Sequence, residues 1–333
     1  MAPTYPRLIL ICLLAAFFLA VPAHVPVKAQ TKTQQDWTVW LQRVRDEGIK
    51  RGLSAATLDG ALRGIKPIKR VVELDRKQPE FTLTFRQYMD RVVSDRRVKK
   101  GRARLRKHRA LLNKVAAKYK VQPRFIVALW GIETDFGRLT GGFRVIPALA
   151  TLAYDGRRST YFRKELFNAL KIIDDGHITA KKMMGSWAGA MGQNQFMPSS
   201  FLRFAVDYNG DGRRNIWTDR ADVFASTANY LARVGWRHDQ TWGRQVLVPA
   251  LLDDKLLGLK VKKTMREWQK LGVRRADGTD LPRRNLTASL VRPKVGNDEF
   301  FLVYDNYRAI LRWNRAHLFA TAVGTLADRI GDG

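Results

Sequence analysis

The chain has 333 residues and a formal net charge of +30, from 60 lysine and arginine residues against 30 aspartate and glutamate residues. Hydrophobic residues make up 45% of the sequence and there is one cysteine, which excludes a disordered chain, a disulfide scaffold and a zinc module built on cysteine and histidine. The excess positive charge predicts a polyanionic partner, such as nucleic acid, an anionic membrane surface or an acidic cell-wall polymer.

The N-terminal residues have the pattern of a secretory signal peptide. Arg7 precedes an apolar run over residues 8–21, which is shorter than the roughly 20 residues that a bilayer span needs. Small-residue cleavage motifs end at Ala23 and Ala29, and we prefer Ala29 because polar residues follow it. We therefore predict a signal peptide over residues 1–29 and export to the periplasm. The alternative is a cytosolic protein with an apolar N-terminal helix.

Export narrows the choice of polyanion. The single cysteine, Cys12, lies behind Ile11 in the apolar run, whereas a lipid-attachment site needs a small residue before the cysteine. An exported basic protein without a mature cysteine is an unusual nucleic-acid binder, and no base-reading motif accompanies the charge. We therefore expect an acidic cell-wall polymer as the partner, and neither nucleic acid nor a membrane anchor.

Helical periodicity dominates the rest of the chain. Apolar residues recur at three- and four-residue spacing between turns that contain glycine and proline. The basic residues between Arg91 and Lys120 are most simply the solvated face of a helix. We predict helices over residues 37–64, 81–88, 91–120, 123–137, 148–153, 159–174, 221–235, 263–271 and 306–330, and short strands over 245–249 and 288–291. The pattern predicts a mainly α (α+β) protein with a small inserted α+β element.

Glu133 is the candidate general acid. On a helix its surface neighbours are Leu129, Trp130 and Phe136, and three large apolar side chains around a carboxyl raise its pKa by disfavouring the charged form. A raised pKa is what a general acid needs near neutral pH. Gly131 leaves space there for a ligand to approach. The alternative is a glutamate at the edge of an amphipathic helix or one paired with an arginine.

A glycosidase with two carboxylates needs a second acid about 5 to 9.5 Å from the first. Asp135 points about 200° around the helix from Glu133 and cannot serve. Asp174 and Asp175 are conceivable, although nothing in the sequence places them. The pattern therefore favours a mechanism with one carboxylate without establishing it.

Residues 185–200 combine small residues with aromatic, methionine and amide side chains. Close backbone approach, aromatic platforms and amides are features of sugar-binding sites. Tight packing through small residues explains the same composition, and the two interpretations stay open.

The segment from Asp207 to Gly212 matches the first half of a calcium loop, with oxygen ligands at positions one, three and five and glycine at six. Thr218 stands where an EF-hand has a bidentate glutamate, so Asp219 or Asp222 would have to complete the shell. The sequence favours a structural cation over an Asx-turn loop without metal.

Together these segments resemble the membrane-bound lytic murein transglycosylase B type, glycoside hydrolase family 103. The resemblance covers about residues 37–330. It rests on residues 131–137, 148–152, 186–192, 195–200, 205–207, 209–217 and 228–230, whose sequences include GIETDFG and SWAGAMG. It implies a lysozyme-like core with a flanking α-helical lobe and a small inserted β element. We divide the chain after the signal peptide into a lobe over 30–110, a catalytic core over 111–240, an α+β element over 241–305 and a closing helix over 306–333.

The resemblance also implies an activity, which is cleavage of the MurNAc–GlcNAc bond of peptidoglycan without net addition of water. Glu133 would protonate the glycosidic oxygen and then take the proton of the C6 hydroxyl as it attacks C1, assisted by the substrate's N-acetyl group. The alternatives are a hydrolase of the same bond and a non-catalytic peptidoglycan-binding protein. No cofactor is required for the chemistry. We expect a monomer that binds glycan strands and other cell-wall enzymes.

The resemblance assigns two further sets of residues. Expected substrate contacts are Ser186, Gln195, Tyr88, Tyr230, Asn314 and Phe319. Expected calcium ligands are Asp207, Asn209, Asp211, the carbonyl of Arg213, and Asp222. Two departures stand out: Phe319 occupies a position that is tyrosine in relatives, and the spacing to Asp222 is one residue longer than in some members.

Overall fold

The structure is a computed structural model that describes residues 37–76 and 83–331. The predicted signal peptide over residues 1–29 lies outside the described residues. Within the described part, no helix has the length and apolar character that crossing a membrane requires.

The described residues form helices with a small amount of β structure. The helices are α1 (Trp37–Lys50), α2 (Ala55–Leu62), α3 (Lys69–Arg76), α4 (Phe85–Val92), α5 (Asp95–Lys107), α6 (Arg109–Tyr119), α7 (Pro123–Thr134), α8 (Val145–Asp155), α9 (Ser159–Asp174), α10 (Pro198–Phe204), α11 (Arg220–Arg233), α12 (Met265–Lys270), α13 (Asp305–Trp313) and α14 (His317–Gly331). The strands are β1 (Phe143–Arg144), β2 (Met184–Gly185), β3 (Gly243–Leu247), β4 (Lys263–Thr264), β5 (Arg274–Arg275), β6 (Thr287–Val291) and β7 (Phe300–Val303). The predicted mainly α class with a small sheet is confirmed.

The chain divides into two compact units, each built from two stretches of sequence. Of the described residues, 37–76 and 137–223 belong to the first unit, and 83–136 and 224–331 belong to the second. The four sequence-derived domain boundaries stay predictions.

The first unit is built around the pair α8 and α9. Residues 145–153 of α8 are all buried, which accounts for their continuous apolar sequence, and Gly156 follows the helix with a left-handed φ of 91°. α8 packs along α9, which also contacts α2 and α10. Strands β1 and β2 pair antiparallel next to α8 and anchor the glycine-rich segment that follows β2.

The second unit is built around α7, which packs against α14, α5 and α6. Gly101 permits the close approach of α5 to α14, because a Cβ there would lie 2.5 Å from Cδ1 of Ile330. The single helix predicted over residues 306–330 is wrong. Asn314 has extended backbone, and its Oδ1 accepts a hydrogen bond from the Ala316 amide at 3.0 Å, so this local turn separates α13 from α14.

A five-stranded antiparallel sheet in the order β4-β6-β7-β3-β5 completes the second unit. Strands β3 and β6 confirm the two strands predicted from the sequence. Trp268 on α12 fills the core beneath the sheet and donates a hydrogen bond from Nε1 to the Ala288 carbonyl at 3.0 Å. Thr264 and Glu267 form a capping box that begins α12, and the helix is shorter than the predicted 263–271.

Candidate active site

The C-terminal end of α7 carries the candidate acid. The helix begins with Pro123 at its first turn and ends at Thr134. Asp135 and Phe136 both adopt left-handed backbone, with φ of 48° and 63°, which is uncommon for residues other than glycine. The Asp135 amide donates to the Gly131 carbonyl and the Phe136 amide to the Trp130 carbonyl, so the chain folds back over the last turn.

Phe136 covers the last turn of α7 and fills the space beside Gly131. A Cβ at Gly131 would lie 2.7 Å from Cζ of the Phe136 ring, so the glycine is required by this packing rather than left open for a ligand. Trp130 meets the Phe136 ring edge-on at 5.5 Å and the Phe224 ring at 5.1 Å. The last turn of α7 is therefore packed with apolar side chains.

Glu133, on this last turn of α7, is buried and only 6% exposed. Burial raises its pKa from an ordinary 4.5 to about 8, and a hydrogen bond from Trp313 acts in the opposite direction. The bond runs from Nε1 of Trp313 to Oε1 of Glu133 over 2.7 Å. The carboxyl is therefore largely protonated at neutral pH, and the Trp313 indole donates to it.

Trp313 is a site residue that the sequence reasoning missed. It lies at the C-terminal end of α13, 180 residues from Glu133 in the chain, so helical periodicity could not connect the two. Its ring packs against Tyr230 with the ring centroids 4.7 Å apart, and the Tyr230 hydroxyl donates to the Arg312 carbonyl at 2.6 Å. The one sequence feature that pointed to Trp313 was its position directly before Asn314, an expected substrate contact.

Four of the expected substrate contacts belong to the same unit as Glu133. The Tyr230 ring contacts the Trp313 indole, and Asn314 is the next residue in the chain. Tyr88 on α4 is 4% exposed, and Phe319 on α14 is 1% exposed. The structure therefore brings Glu133, Trp313 and Tyr230 into one contact chain, whereas Phe319 presents almost no surface.

The other two expected contacts, Ser186 and Gln195, lie in the first unit. Ser186 directly follows β2, and its amide and hydroxyl bond to the carbonyl and amide of Ala190 at 2.7 and 3.0 Å. Gln195 has a left-handed φ of 49°, and its Nε2 donates to the carbonyls of Thr140 and Gly192. Its Oε1 is buried without a hydrogen-bond partner among the described residues, which leaves one acceptor unused.

The Asp-rich loop is held by its own backbone amides. Asp207 accepts from the amides of Gly210, Asp211 and Gly212, and Asp211 accepts from the amide of Arg213. The described residues contain no group of three or more histidine, cysteine, aspartate or glutamate side chains arranged for a metal ion. In this conformation the loop is of the Asx-turn kind that the sequence left as the alternative.

Asp222 is the buried member of this loop. Its two carboxylate oxygens accept from the amides of Tyr208 and Asn215 at 2.7 and 2.6 Å. Burial raises the pKa of Asp222, and the neighbouring carboxylates of Asp219 and Asp207 raise it further. The loop therefore concentrates negative charge around a buried carboxyl.

The conceivable second acids are engaged in local contacts of the first unit. Asp174 accepts from the amide and hydroxyl of Ser54 at the start of α2, and these bonds lower its pKa. Asp175 forms an ion pair with Lys171 one helical turn away. Asp135 pairs with Lys100 at 3.1 Å, in keeping with its direction away from Glu133.

Comparison with known proteins identifies the family. The family described as "Transglycosylase SLT domain" matches residues 36–328. Membrane-bound lytic murein transglycosylase B of Escherichia coli (strain K12) is 34% identical over 252 residues, which cover 73% of this chain and 66% of the relative, just under two thirds of its length.

Solved structures agree with the sequence comparison. SltB3 from Pseudomonas aeruginosa in complex with NAG-anhNAM-pentapeptide is 43% identical with a TM-score of 0.87, covering 90% of this chain and 80% of that one. The Escherichia coli lytic transglycosylase Slt35 in complex with calcium is 30% identical with a TM-score of 0.75, covering 87% and 92%. The chain belongs to the transglycosylase SLT domain family.

Proposed function

We propose that the protein is a lytic transglycosylase that cleaves the β-1,4 bond between MurNAc and GlcNAc of peptidoglycan and leaves 1,6-anhydro-MurNAc ends. The observation that carries the proposal is the buried Glu133 carboxyl, whose pKa of about 8 keeps it protonated at neutral pH. Further support comes from SltB3, whose complexes contain NAG-anhNAM-pentapeptide and NAG-NAM-pentapeptide.

The proposed reaction uses Glu133 twice. Its carboxyl gives a proton to the glycosidic oxygen as the bond from that oxygen to C1 breaks, and the substrate's N-acetyl group stabilises the positive charge at C1. The resulting carboxylate then takes the proton of the C6 hydroxyl as O6 bonds to C1. The acid is regenerated and no water is consumed. Burial raises the pKa of Glu133 and the Trp313 hydrogen bond lowers it, so the raised value does not come from a second carboxylate.

Trp313 orients this acid. An indole N–H can donate a hydrogen bond but cannot accept one, so Oε1 of Glu133 is the acceptor and the acidic proton is on Oε2. We therefore propose that Oε2 faces the glycosidic oxygen, with Trp313 as a positioning residue that acts through Glu133.

Replacing Trp313 by phenylalanine tests this role, because it keeps an aromatic ring next to Tyr230 and removes the donor. We expect kcat to fall by roughly 10-fold, because the hydrogen bond strengthens as Glu133 gives up its proton and becomes a carboxylate, and the variant lacks it. The alkaline limb of the pH–rate profile should move to higher pH, since the lost bond was lowering the pKa of Glu133. The same change added to Glu133→Gln should have little further effect. An unshifted profile would assign Trp313 a packing role only.

Substrate contacts are proposed for Ser186, Gln195, Tyr88, Tyr230, Asn314 and Phe319. Gln195 has the clearest support, because its buried Oε1 can accept a hydrogen bond from a sugar hydroxyl or amide. Tyr230 is supported by its contact with Trp313. For Phe319, its burial favours a packing contribution to the site wall over direct contact with the sugar.

We also propose a structural calcium ion in the loop formed by Asp207, Asn209, Asp211, the carbonyl of Arg213, and Asp222. The donors are all oxygen, which suits a hard cation, and a cation would relieve the repulsion that raises the pKa of Asp222. Binding would require the carboxylates to exchange their backbone amide partners for the ion. The calcium complex of Slt35 supports this proposal.

Calcium is expected to raise the thermal unfolding midpoint of the mature protein, because it binds the folded loop only. Addition of a calcium chelator should reverse the increase, and Asp207→Asn should abolish it. Differential scanning calorimetry with magnesium as the control ion measures the effect. If calcium leaves the midpoint unchanged, the loop does not bind calcium and its carboxylates keep their hydrogen bonds to backbone amides.

The proposed location is the periplasm, reached through cleavage after a signal peptide over residues 1–29. The proposed partners are glycan strands, with other cell-wall enzymes as further candidates, and the expected oligomeric state is a monomer.

Exposed basic residues on α5 and α6 support binding to an acidic polymer; they include Arg96, Lys99, Arg106, Lys107, Arg109, Lys114 and Lys118.

Binding to whole peptidoglycan sacculi should weaken as salt is added. The Debye length is about 10 Å at 0.1 M salt and about 3 Å at 1 M, so attraction between exposed charges is largely screened over this range. Co-sedimentation of Glu133→Gln with sacculi at increasing sodium chloride measures the effect without turnover. Binding that does not change with salt would mean that the exposed basic residues do not contribute to peptidoglycan binding.

Digestion of purified peptidoglycan, followed by mass spectrometry of the released muropeptides, tests the proposed reaction. The expected products are lighter than reducing-end products by one water, about 18 Da. Reducing-end products would identify a hydrolase and return attention to a second carboxylate. No released product under any condition would identify a non-catalytic binding protein.

A further inference from the structure

A cavity of about 360 Å³ lies in the second unit, between the face of α13 and the chain that follows α11. Gly235, with a left-handed φ of 97°, turns the chain at the end of α11. The turn places Trp236 in the cavity wall, where its ring packs on Phe125 at 4.7 Å and its Nε1 donates to Gln122 at 2.8 Å. The cavity therefore has a rigid, preformed wall.

The cavity carries an excess of positive charge. Arg308 and Arg312 lie one turn apart on α13, and Arg237 lines the opposite side. Arg308 is fixed by hydrogen bonds to two neutral acceptors, the Leu259 carbonyl and the Ser289 hydroxyl, so its charge stays uncompensated.

The remaining charges do not neutralise this excess. Neither Arg237 nor Arg312 forms a side-chain ion pair with any carboxylate in the described part of the chain. The one carboxylate in the lining, Asp305, lies 4.0 Å from Lys262. Three guanidinium groups around one concave space form a site for an anion, because planar guanidinium groups match the two oxygens of a carboxylate.

The cavity is connected to the candidate acid through both of its walls. Arg312 directly precedes Trp313, which donates to Glu133. On the other wall, Tyr230 lies one turn before Val234, and its hydroxyl donates to the Arg312 carbonyl. The cavity wall and the residue that holds the acid are therefore neighbours along α13.

We propose that this arginine cavity binds carboxylates of the peptidoglycan stem peptide. The inference rests on the proposed function, in which the attacked sugar is MurNAc, the sugar that carries the peptide. The peptide brings carboxylates close to the scissile bond, and they are the anions that such a substrate supplies. The cavity would select glycan strands that still carry peptides.

The test compares peptide-bearing soluble glycan strands with strands whose peptides have been removed by an amidase. In Arg237→Gln/Arg312→Gln we expect KM to rise by about 10-fold on the peptide-bearing strands, since charge-assisted bonds are lost. The kcat on them and both constants on the stripped strands should be unchanged. Arg266→Gln/Lys270→Gln removes the same charge from the exposed face of α12, outside the cavity and outside α5 and α6, and should not reproduce the effect.

A binding measurement separates this inference from the proposed function. Free stem pentapeptide should bind the wild-type protein in isothermal titration calorimetry and bind the cavity variant about 10-fold more weakly, whether or not the protein cleaves glycan. Equal binding by wild type and variant, or equal KM changes in the cavity and α12 variants, would overturn the cavity assignment. Loss of the expected cleavage products with retained peptide binding would overturn the reaction alone.

Discussion

Replacing Glu133 by glutamine should reduce kcat for peptidoglycan cleavage by about 100- to 10,000-fold, the range that a positioned acid–base group contributes. The amide is close in size to the carboxyl, and its oxygen can still accept the hydrogen bond from Trp313. What it lacks is the proton on the second oxygen, so the glycosidic oxygen leaves as an unprotonated anion. Release of soluble muropeptides from labelled sacculi measures the change.

Glu165 provides the matched control. It is the other glutamate that is buried in the described part of the chain, at 2% exposed, and its Oε2 accepts from the Ser199 amide at 2.8 Å. Glu165→Gln makes the same chemical change on α9, in the first unit, and should retain turnover. Glu133→Gln should also keep its affinity for sacculi. Activity of Glu133→Gln within 10-fold of the wild type would remove Glu133 from the mechanism.

The same substitution should change how stability depends on pH. The folded Glu133 carboxyl has a pKa of about 8, whereas the ordinary value is 4.5, so between these pH values the folded protein keeps a proton that the unfolded chain releases. The wild-type free energy of unfolding therefore falls as pH rises through this window and loses nothing further above it, a decrease on the order of a few kcal/mol. Glutamine does not titrate, so the variant lacks this decrease.

Urea unfolding of the wild type and Glu133→Gln at pH 5, 7 and 9 measures the difference between the two proteins, in which the other titrating groups cancel. We expect the stability of the variant relative to the wild type to increase with pH. A difference that stays constant from pH 5 to 9 would mean that Glu133 ionises in the folded protein at its ordinary pKa. Burial would then not raise the pKa of Glu133.

The sequence predicted elements well where the apolar repeat runs without interruption. Helix α9 has the predicted bounds, and α7 begins at Pro123 as expected. Longer predicted helices are divided by local turns that hydrophobic spacing does not register. The predicted helix over residues 37–64 is divided after Lys50, where Gly52 adopts a positive φ and Ser54 caps α2.

The candidate site was predictable to the extent that it is local. Trp130 and Phe136 lie on the last helical turn and its continuation, so the contact between their rings and their nearness to Glu133 in the chain follow from spacing. Trp313 and the arginine cavity depend on where α13 packs, which is determined by tertiary structure. Calcium binding by the Asp-rich loop stays a prediction from its oxygen pattern, whereas the bonding of its carboxylates to backbone amides depends on a conformation that the pattern does not specify.

The contact between Phe136 and Gly131 limits how this segment can evolve. A side chain at position 131 would meet the Phe136 ring at under 3 Å, and the ring cannot retreat without changing the left-handed backbone of Asp135 and Phe136. A larger residue in place of Gly131 would thus disturb the end of the helix that carries Glu133, as long as Phe136 is present. The two positions should therefore covary among homologues, with a larger residue at 131 appearing only with a smaller one at 136.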